Sequence, residues 1–271
     1  MSRAATAERP NPFAASVPEN YRRYLEPVLF APWADRLVAY AGVSPGDIVL
    51  DVAAGTGAVS RVAARAAGTE GSVIASDISA GMLHYAGLSH APGAAPISTM
   101  VSPATALELP DASVDVVLCQ QGLPFMPDRV AVLKECLRVL KPGGTVAVAV
   151  WATGERLDPF DAYAEALGTE NPGRAISNAS LTMSVVGVVD AMLQAGVGEV
   201  RATRQTLAVR WPTLDAEVAG LFGTPFAPAV DAMDSEHREL VLSHLREILG
   251  GGGGRTVDHV TTSVFGRGIR V

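Results

Sequence analysis

Short apolar runs alternate with amphipathic stretches through residues 48–151. Ile48–Val52 and Ser72–Asp77 predict buried strands, because they are short, apolar and rich in β-branched residues. Further strands are predicted at 97–101, 114–118 and 145–151, and helices at 58–67, from about residue 80, and at 128–140. The last helix is expected to stop at 141–144, a Lys-Pro-Gly-Gly segment that forms a tight turn. Strands that alternate with helices predict a parallel sheet covered on both faces.

The two ends of the chain have weaker patterns. Residues 18–41 have a helical pattern, which Pro27 and Pro32 are expected to break into two pieces. Ser79 is placed to cap the helix that begins near Ala80. The remaining predictions are a weakly structured segment at 152–180, a helix at 181–196, a strand at 199–210, helices within 213–249, a glycine connector at 250–254, and one or two strands over 256–270.

A glycine-containing loop joins the first strand to the first helix of the alternating region. Asp51, Ala53, Gly55 and Gly57 occupy alternate positions in it. Glycine lets the backbone turn sharply and lets a ligand approach the main chain. The helix that follows presents free N–H groups and the positive end of its dipole, which favour an anionic group. Asp77, at the end of the second strand, can accept hydrogen bonds from both hydroxyls of a ribose.

Two cofactors fit this loop. Gly55–Ser60 is a degenerate form of the G-x-G-x-x-G motif that binds dinucleotides, with serine in place of the third glycine. The other cofactor is S-adenosylmethionine, which has a ribose, a carboxylate and an ammonium but no phosphate. Asp51 favours the second, because a carboxylate at the mouth of the loop repels a pyrophosphate and attracts the ammonium, directly or through water.

Five segments stand in a specific order along the chain. They are VLDVAAGTG (49–57), SDISAGML (76–83), LPDASVDVVLCQQGL (109–123), MPD (126–128) and LKPGG (140–144). Together they resemble the class I S-adenosylmethionine-dependent methyltransferases, in particular the branch with ubiquinone/menaquinone-type and natural-product small-molecule enzymes. The resemblance covers roughly residues 21–151. It implies a Rossmann-like α/β fold, with a seven-stranded, mostly parallel sheet, an antiparallel last strand and helices on both faces.

Composition and the resemblance together predict how the chain is organised. Residues 1–18 form a flexible arm, and residues 19–271 form a single methyltransferase domain. Within that domain, the implied parts are an N-terminal helical lid (19–43), a cofactor-binding core (44–151), a substrate cap inserted after it (152–235), and a closing helix with strands (236–271).

Roles for individual residues follow from the same resemblance. With Asp51 at the ammonium, the implied cofactor-binding residues are Tyr21 as a lid, Ala53, Gly55 and Gly57 around the methionine end, Asp77 at the ribose, Ile78 on the adenine, Met82 at the ribose or adenine edge, Ala104 with its backbone N–H at the adenine, and Gln120 beside the sulfonium. The chain departs from the family at Pro103, where many relatives have an aspartate that binds the adenine amino group. Proline lacks both an acceptor side chain and an N–H, so adenine recognition rests on backbone groups, packing, and Ser102 or Thr105.

Composition narrows the classes of partner. The 271 residues are 48% hydrophobic and 18% charged, which is an ordinary globular composition, and the formal net charge is −7. An acidic chain argues against nucleic acid or an anionic membrane as the partner. No apolar run reaches the roughly 18 residues of a membrane helix, and the N-terminus lacks the apolar stretch of a signal peptide. We expect a cytoplasmic enzyme with a small-molecule substrate and no metal ion, for which a homodimer is one assembly to consider.

Apolar side chains after residue 151 predict the kind of methyl acceptor. The cap offers Phe160, Tyr163, Met183, Trp211, Phe222 and Phe226, with few charges among them. An apolar or aromatic acceptor is therefore expected, such as a quinone-like lipid or another small natural product. Trp151 has two interpretations, as a pocket wall or as core. Methyl transfer needs alignment and exclusion of water rather than a covalent nucleophile, and no histidine is assigned as a base.

Two other functions stay open at this point. A nicotinamide-dependent oxidoreductase would use the same loop, but Asp51 opposes the phosphates of its cofactor. Pro103 alone favours the other function. In it, a protein of the methyltransferase fold binds the cofactor or a ligand and performs a derived reaction or none.

Overall fold

The computed structural model describes residues 17–87, 91–168, 181–250 and 257–271. Most of the predicted N-terminal arm and nearly all of the glycine connector lie outside these ranges. The strands are β1 (Ile48–Val52), β2 (Ser72–Asp77), β3 (Ile97–Val101), β4 (Val114–Gln120), β5 (Leu140–Ala152), β6 (Thr182–Met183), β7 (Gly198–Trp211) and β8 (Val257–Ile269). Their order in the sheet is β3-β2-β1-β4-β5-β8-β7, and the two-residue β6 pairs with β5 off this path.

Strand directions follow the prediction. β1 to β5 pair in parallel, whereas β8 runs antiparallel to both of its neighbours, β5 and β7. The main path thus has seven strands with an antiparallel last strand, which confirms the expected Rossmann-like sheet. The short β6 is the addition that the pattern of apolar residues did not predict.

Helices cover both faces of this sheet. They are α1 (Val17–Asn20), a π-helix (Tyr21–Phe30), α2 (Ala31–Ala41), α3 (Ala58–Ala67), α4 (Ala80–Ala86), α5 (Arg129–Val139), α6 (Phe160–Leu167), α7 (Val185–Ala195), α8 (Leu214–Gly220), α9 (Ala227–Asp231) and α10 (Ser235–Ile248). Adjacent residues of β1 point to opposite faces, as the pleat of a strand requires. Val49 packs with α2 and α3, and Leu50 packs with α5 and α7.

A third core holds the cap together. This cluster contains three buried residues from separate elements: Tyr163 of α6, Phe226 directly before α9, and Leu245 of α10. The closing helix α10 therefore packs with the cap helices that precede it in the chain. No helix among the described residues is long and apolar enough to cross a membrane.

The N-terminal helical segment is continuous, contrary to the predicted break at its prolines. Pro27 lies inside the π-helix, where the N–H of Ala31 donates to the carbonyl of Glu26, five residues earlier. The wider turn accommodates a ring that would clash with the carbonyl four residues back in an α-helix. Pro32 stands in the first turn of α2, where the fixed φ of proline is compatible with a helix.

Strand β5 begins at Leu140, five residues earlier than predicted. Val114 pairs with Leu140 and Val116 pairs with Thr145, so the intervening residues form a bulge in the ladder. Gly143 has a positive φ of 78°, which supplies the expected sharp turn inside the strand. The Lys-Pro-Gly-Gly segment therefore bends a strand, whereas the sequence pattern placed it between a helix and a strand.

Candidate functional site

A cavity of about 340 Å³ lies at the carboxyl edge of the sheet, where β1, β2, β4 and β5 end. Ligands of open parallel sheets bind at this edge, because the loops that follow the strands meet there. Eight of the ten predicted cofactor-binding residues line the cavity, namely Tyr21, Ala53, Gly55, Asp77, Ile78, Met82, Ala104 and Gln120. Asp51 and Gly57 do not.

Gly57 supports the glycine loop from behind. Its φ is +85°, and a Cβ placed on it would lie 2.8 Å from the Cα and Cβ of Ala86 in α4. Only glycine fits this approach between two helices. Gly55 also has a positive φ, of 54°, but a Cβ there would meet open space. The two glycines thus have different roles, and Gly55 alone faces the ligand space.

Asp77 ties the loop to the end of β2. Its Oδ2 accepts from the N–H of Gly55 at 2.9 Å, and its Oδ1 accepts from the N–H of Ser79 at 2.8 Å. Burial raises the pKa of the carboxyl, and the backbone donors oppose that effect. Each oxygen keeps a further lone pair, so the carboxylate can still accept from ligand hydroxyls. Ser79 caps α4 as predicted, accepting from the N–H of Met82.

Asp51 lies beneath the loop and not in the cavity wall. It is buried, and its Oδ2 accepts from the hydroxyl of Ser60 at 2.6 Å. Burial raises the pKa of Asp51 to about 7, with the nearby Asp77 adding to the shift and Ser60 opposing it. An influence of Asp51 on a ligand ammonium therefore acts through space or water.

Pro103 lines the cavity together with its neighbours on either side. Ser102, the residue before it, donates its hydroxyl to the carbonyl of Ala106 at 2.8 Å. Ala104 and Thr105 also line the wall, so the segment presents its main chain and apolar atoms to this end of the cavity. Ile78 stands at the rim with 68% of its surface exposed.

Three residues of the π-helix, Tyr21, Leu25 and Phe30, form one wall of the cavity. Tyr21 stacks on Phe30 with ring centroids 4.9 Å apart, and Phe30 approaches Trp151 at 6.1 Å. Leu25 completes this wall. Burial raises the pKa of Tyr21 well above its ordinary value, and the negative charges of Glu26, Asp77 and Asp51 add to the shift. The phenol therefore stays protonated at neutral pH and can donate a hydrogen bond.

A buried polar cluster that the sequence did not reveal fastens the π-helix to the glycine loop. Glu26 is 8% exposed and accepts from the hydroxyl of Thr56 in the loop. Arg61 of α3 forms an ion pair with the same carboxylate and donates to the carbonyl of Thr56 at 2.7 Å. Because its partners lie 30 and 35 residues away, no local pattern could identify Glu26.

Gln120, the last residue of β4, and Gln121, which follows it, both line the cavity. Gln120 donates from Nε2 to the carbonyl of Phe30 at 2.9 Å. Gln121 donates from Nε2 to the hydroxyl of Ser263 at 3.1 Å. The Oε1 atoms of both are buried without a hydrogen-bond partner among the described residues. Two unpartnered acceptors beside a cavity are suited to ligand donors.

Of the apolar cap residues expected at the acceptor, Phe160 alone lines the cavity within the described ranges. The others lie in the cores. Tyr163, Trp211 and Phe226 are fully buried. Met183 belongs to the core cluster of Leu50, and Phe222 packs against the cluster of the cap. The pattern identified them as apolar but could not indicate their neighbours. Trp151 is both core and cavity wall, being 3% exposed. Phe125, Met126, Leu181 and Thr224 are lining residues that the sequence analysis missed.

None of the histidines and cysteines among the described residues lines the cavity. His259 pairs with Glu217 at 2.5 Å and His237 with Asp234 at 2.7 Å, and His90 lies outside the described residues. Cys119 is buried, which raises the pKa of its thiol to about 12, and burial also raises the pKa of Cys136. No group of histidine, cysteine and acidic residues in the described ranges could hold a metal ion.

Replacement of Gly223 by alanine tests the contact between cap and π-helix. A Cβ at Gly223 would lie 2.6 Å from the backbone nitrogen of Tyr21 and 2.7 Å from its Cα. Backbone atoms cannot move aside, so we expect a loss of about 1–3 kcal/mol in the free energy of unfolding by urea titration. Gly81→Ala is the control, because its Cβ meets nothing closer than 3.5 Å and alanine favours a helix. Equal stability of the two variants would show that the cap and π-helix do not touch as described.

Comparison with known proteins places this site in a family. A family model described as a methyltransferase domain matches residues 50–148. A demethylmenaquinone methyltransferase of Mycobacterium sp. (strain KMS) is 32% identical over 231 residues, 82% of this chain and 96% of that protein. A ubiquinone/menaquinone biosynthesis C-methyltransferase of Xanthomonas campestris pv. campestris is 41% identical over 118 residues, 43% and 47% of the two chains.

A solved structure has the same fold. The arsenic(III) S-adenosylmethionine methyltransferase of Chlamydomonas reinhardtii matches with a TM-score of 0.52 at 22% identity, over 85% of this chain and 65% of that one. The chain belongs to the class I S-adenosylmethionine-dependent methyltransferases. It is accordingly an S-adenosylmethionine-dependent methyltransferase, which confirms the family implied by the five sequence motifs.

Proposed function

We propose that this enzyme binds S-adenosylmethionine in the cavity and methylates a small apolar or aromatic acceptor of the quinone-like or natural-product kind. The observation that carries the proposal is the division of the cavity. Asp77 and Gly55 line the cavity at the ends of β2 and β1, a part that we call the cofactor half. Trp151 lines it at the end of β5, together with Phe160 and Leu181 of the same apolar cluster, a part that we call the acceptor half. The first half suits a ribose and the second suits an apolar ring.

The residues present fit the cofactor. The buried Oε1 of Gln120 has no partner among the described residues, and an ammonium is a donor that would satisfy it. Asp77 keeps lone pairs for ribose hydroxyls, while the positive φ and open Cβ position of Gly55 let a ligand approach the main chain. Gln120, Asp77 and Gly55 would therefore hold the ammonium, the ribose and the methionine end.

The chain's own groups align the reactants and exclude water. When bound, S-adenosylmethionine supplies an electrophilic methyl group on a cationic sulfonium. Aromatic rings of Tyr21, Phe30 and Trp151 form one side of the cavity, and aromatic faces attract cations. The stacked rings also cover the reaction space, so that alignment provides much of the rate enhancement.

Similarity to a demethylmenaquinone methyltransferase over 96% of its length supports a quinone-like acceptor. The acceptor half of the cavity supports it independently, because Trp151, Phe160 and Leu181 are large and apolar. Phe125 and Met126 extend the same surface. A flat hydrophobic ring buries the most area against such walls.

Transfer of a labelled methyl group tests the proposal. Purified enzyme is incubated with methyl-labelled S-adenosylmethionine and either 1,4-naphthohydroquinone, an apolar aromatic probe, or phosphoethanolamine, a polar probe. We expect label in the naphthohydroquinone alone. Label in phosphoethanolamine alone would contradict the acceptor class. Cofactor binding without transfer to any acceptor would favour the derived reaction, the second function left open by Pro103.

Asp51 makes cofactor binding depend on pH. Burial raises its pKa to about 7. A bound ammonium nearby favours the ionised carboxylate, so binding releases a proton wherever Asp51 is protonated beforehand. We expect the affinity for S-adenosylhomocysteine, measured by calorimetry, to rise by up to about tenfold between pH 6 and pH 8. Asp51→Asn should flatten the profile because asparagine does not titrate. The variant should keep the local structure, since asparagine still accepts from Ser60. An unchanged slope in that variant would assign the titration to another group.

A further inference from the structure

The acceptor half of the cavity contains a polar residue held in an unusual conformation. Gln121 has φ +57°, in the left-handed region that non-glycine residues seldom adopt. Its backbone N–H donates to the carbonyl of Ala149 on β5 at 2.7 Å, which fixes the turn at the end of β4. Such conformations are unfavourable and concentrate at functional sites. The fold therefore holds this side chain in place at an energetic cost.

The side chain of Gln121 is also fixed. It is 6% exposed, and its Nε2 donates to the hydroxyl of Ser263, which is fully buried on β8. Its Oε1 is buried with no hydrogen-bond partner in the described part of the chain. A buried acceptor without a donor is destabilising, and a ligand donor would relieve that penalty.

Gln121 lies on the β5 side of the cavity, next to Gln120 and away from the end of β2 where Asp77 stands. In the order β2-β1-β4-β5, Asp77 ends β2, whereas Gln121 follows β4 and bonds to β5. Ser263 pairs in register with Trp151, so the glutamine amide is anchored beside an aromatic wall. Phe160 also lines the cavity. The amide is a polar group next to apolar surfaces.

We propose that Gln121 is a specificity-determining residue that accepts a hydrogen bond from a hydroxyl or N–H on the methyl acceptor. This inference rests on the proposed function, because it assumes that the acceptor occupies this half of the cavity. It narrows the substrate class to apolar rings that carry a donor, such as phenols and hydroquinones. Rings of the same shape without a donor leave Oε1 unpaired and bind less tightly.

A pair of probes that differ in one group tests the proposal. 1-Naphthol carries a hydroxyl where 1-fluoronaphthalene carries a fluorine of similar size that cannot donate. Both are titrated by calorimetry into protein saturated with S-adenosylhomocysteine. We expect wild type to bind naphthol at least tenfold more tightly than the fluoro compound. In Gln121→Met, which keeps the length of the side chain without its acceptor, the two affinities become equal. Gln121→Glu, which keeps an Oε1 acceptor, restores the preference.

The controls separate this inference from the proposed function. Gln205→Met, on β7 with its amide bonded to Arg36, should leave the preference for naphthol unchanged. Binding of S-adenosylhomocysteine to Gln121→Met at wild-type affinity shows that the variant is folded and that the cofactor half is intact. Equal affinity of the two probes for wild type, or a preference that persists in Gln121→Met, overturns the proposal. Failure of wild type to bind S-adenosylhomocysteine contradicts the proposed function instead.

Discussion

Glu26→Ala is expected to lower the free energy of unfolding by about 3 kcal/mol or more. Removal of one partner from a buried ion pair leaves the other charge without compensation, which costs about 3–5 kcal/mol. The side chains of Glu26 and Arg61 are only 11% and 21% exposed, so water cannot replace the lost partner fully. Thr56 of the glycine loop loses its acceptor in the same change. Urea denaturation monitored by circular dichroism gives the free energy.

A second ion pair between neighbouring helices provides the control. Asp35 of α2 and Arg65 of α3 lie 3.5 Å apart, but their side chains are 68% and 55% exposed. An exposed pair contributes about 0–1 kcal/mol, so Asp35→Ala should change the stability little. Glu26→Ala should also weaken binding of S-adenosylhomocysteine, because the detached π-helix carries Tyr21 and Leu25. Equal stability losses in the two variants would mean that the Glu26 cluster is not buried as described.

Asp77→Ala should weaken binding of S-adenosylhomocysteine by about 10- to 100-fold, or roughly 1.4–3 kcal/mol. The variant loses charge-assisted hydrogen bonds to the ribose, each of which is stronger than a neutral one. It also releases the N–H of Gly55, which Asp77 holds at 2.9 Å. Asp77→Asn keeps one acceptor oxygen and should lie between wild type and alanine. Calorimetric titration at a single pH gives all three dissociation constants.

Asp115 is a matched control for this experiment. It too accepts from a backbone N–H at the end of a strand, that of Ile48 at 2.9 Å, and it pairs with Lys141. It stands at the amino edge of the sheet, away from the cavity. Asp115→Ala should therefore reduce stability without changing the affinity for S-adenosylhomocysteine. An equal loss of affinity in the Asp77 and Asp115 variants would assign both effects to general destabilisation.

Local signals in the sequence were sufficient to predict β1, β2 and β3 and the residue that ends β2. Ile48–Val52, Ser72–Asp77 and Ile97–Val101 form strands with the predicted bounds, because each is a short apolar run flanked by turn residues. Asp77 stands at the cavity as predicted, since its position is determined by the end of a strand. The roles assigned to the lining residues stay predictions until ligand binding is measured.

Contacts between distant parts of the chain could not be read in the same way. Glu26 meets Thr56 and Arg61 only after the π-helix has docked on the glycine loop. The left-handed turn at Gln121 depends on Ala149 of the neighbouring strand. Apolar patterning showed that Trp211 would be buried, but its position in the core rather than in the cavity is a property of tertiary packing.

Calorimetric titration of the wild-type protein with S-adenosylhomocysteine, beside a titration with NADH, tests whether the cavity binds the methyl donor. We expect a single site with a micromolar dissociation constant for S-adenosylhomocysteine and no heat of binding for NADH. Asp51 beneath the loop disfavours a pyrophosphate there, whereas Asp77 suits the ribose of either cofactor. Binding of NADH without binding of S-adenosylhomocysteine would contradict the assignment of this cavity to the methyl donor.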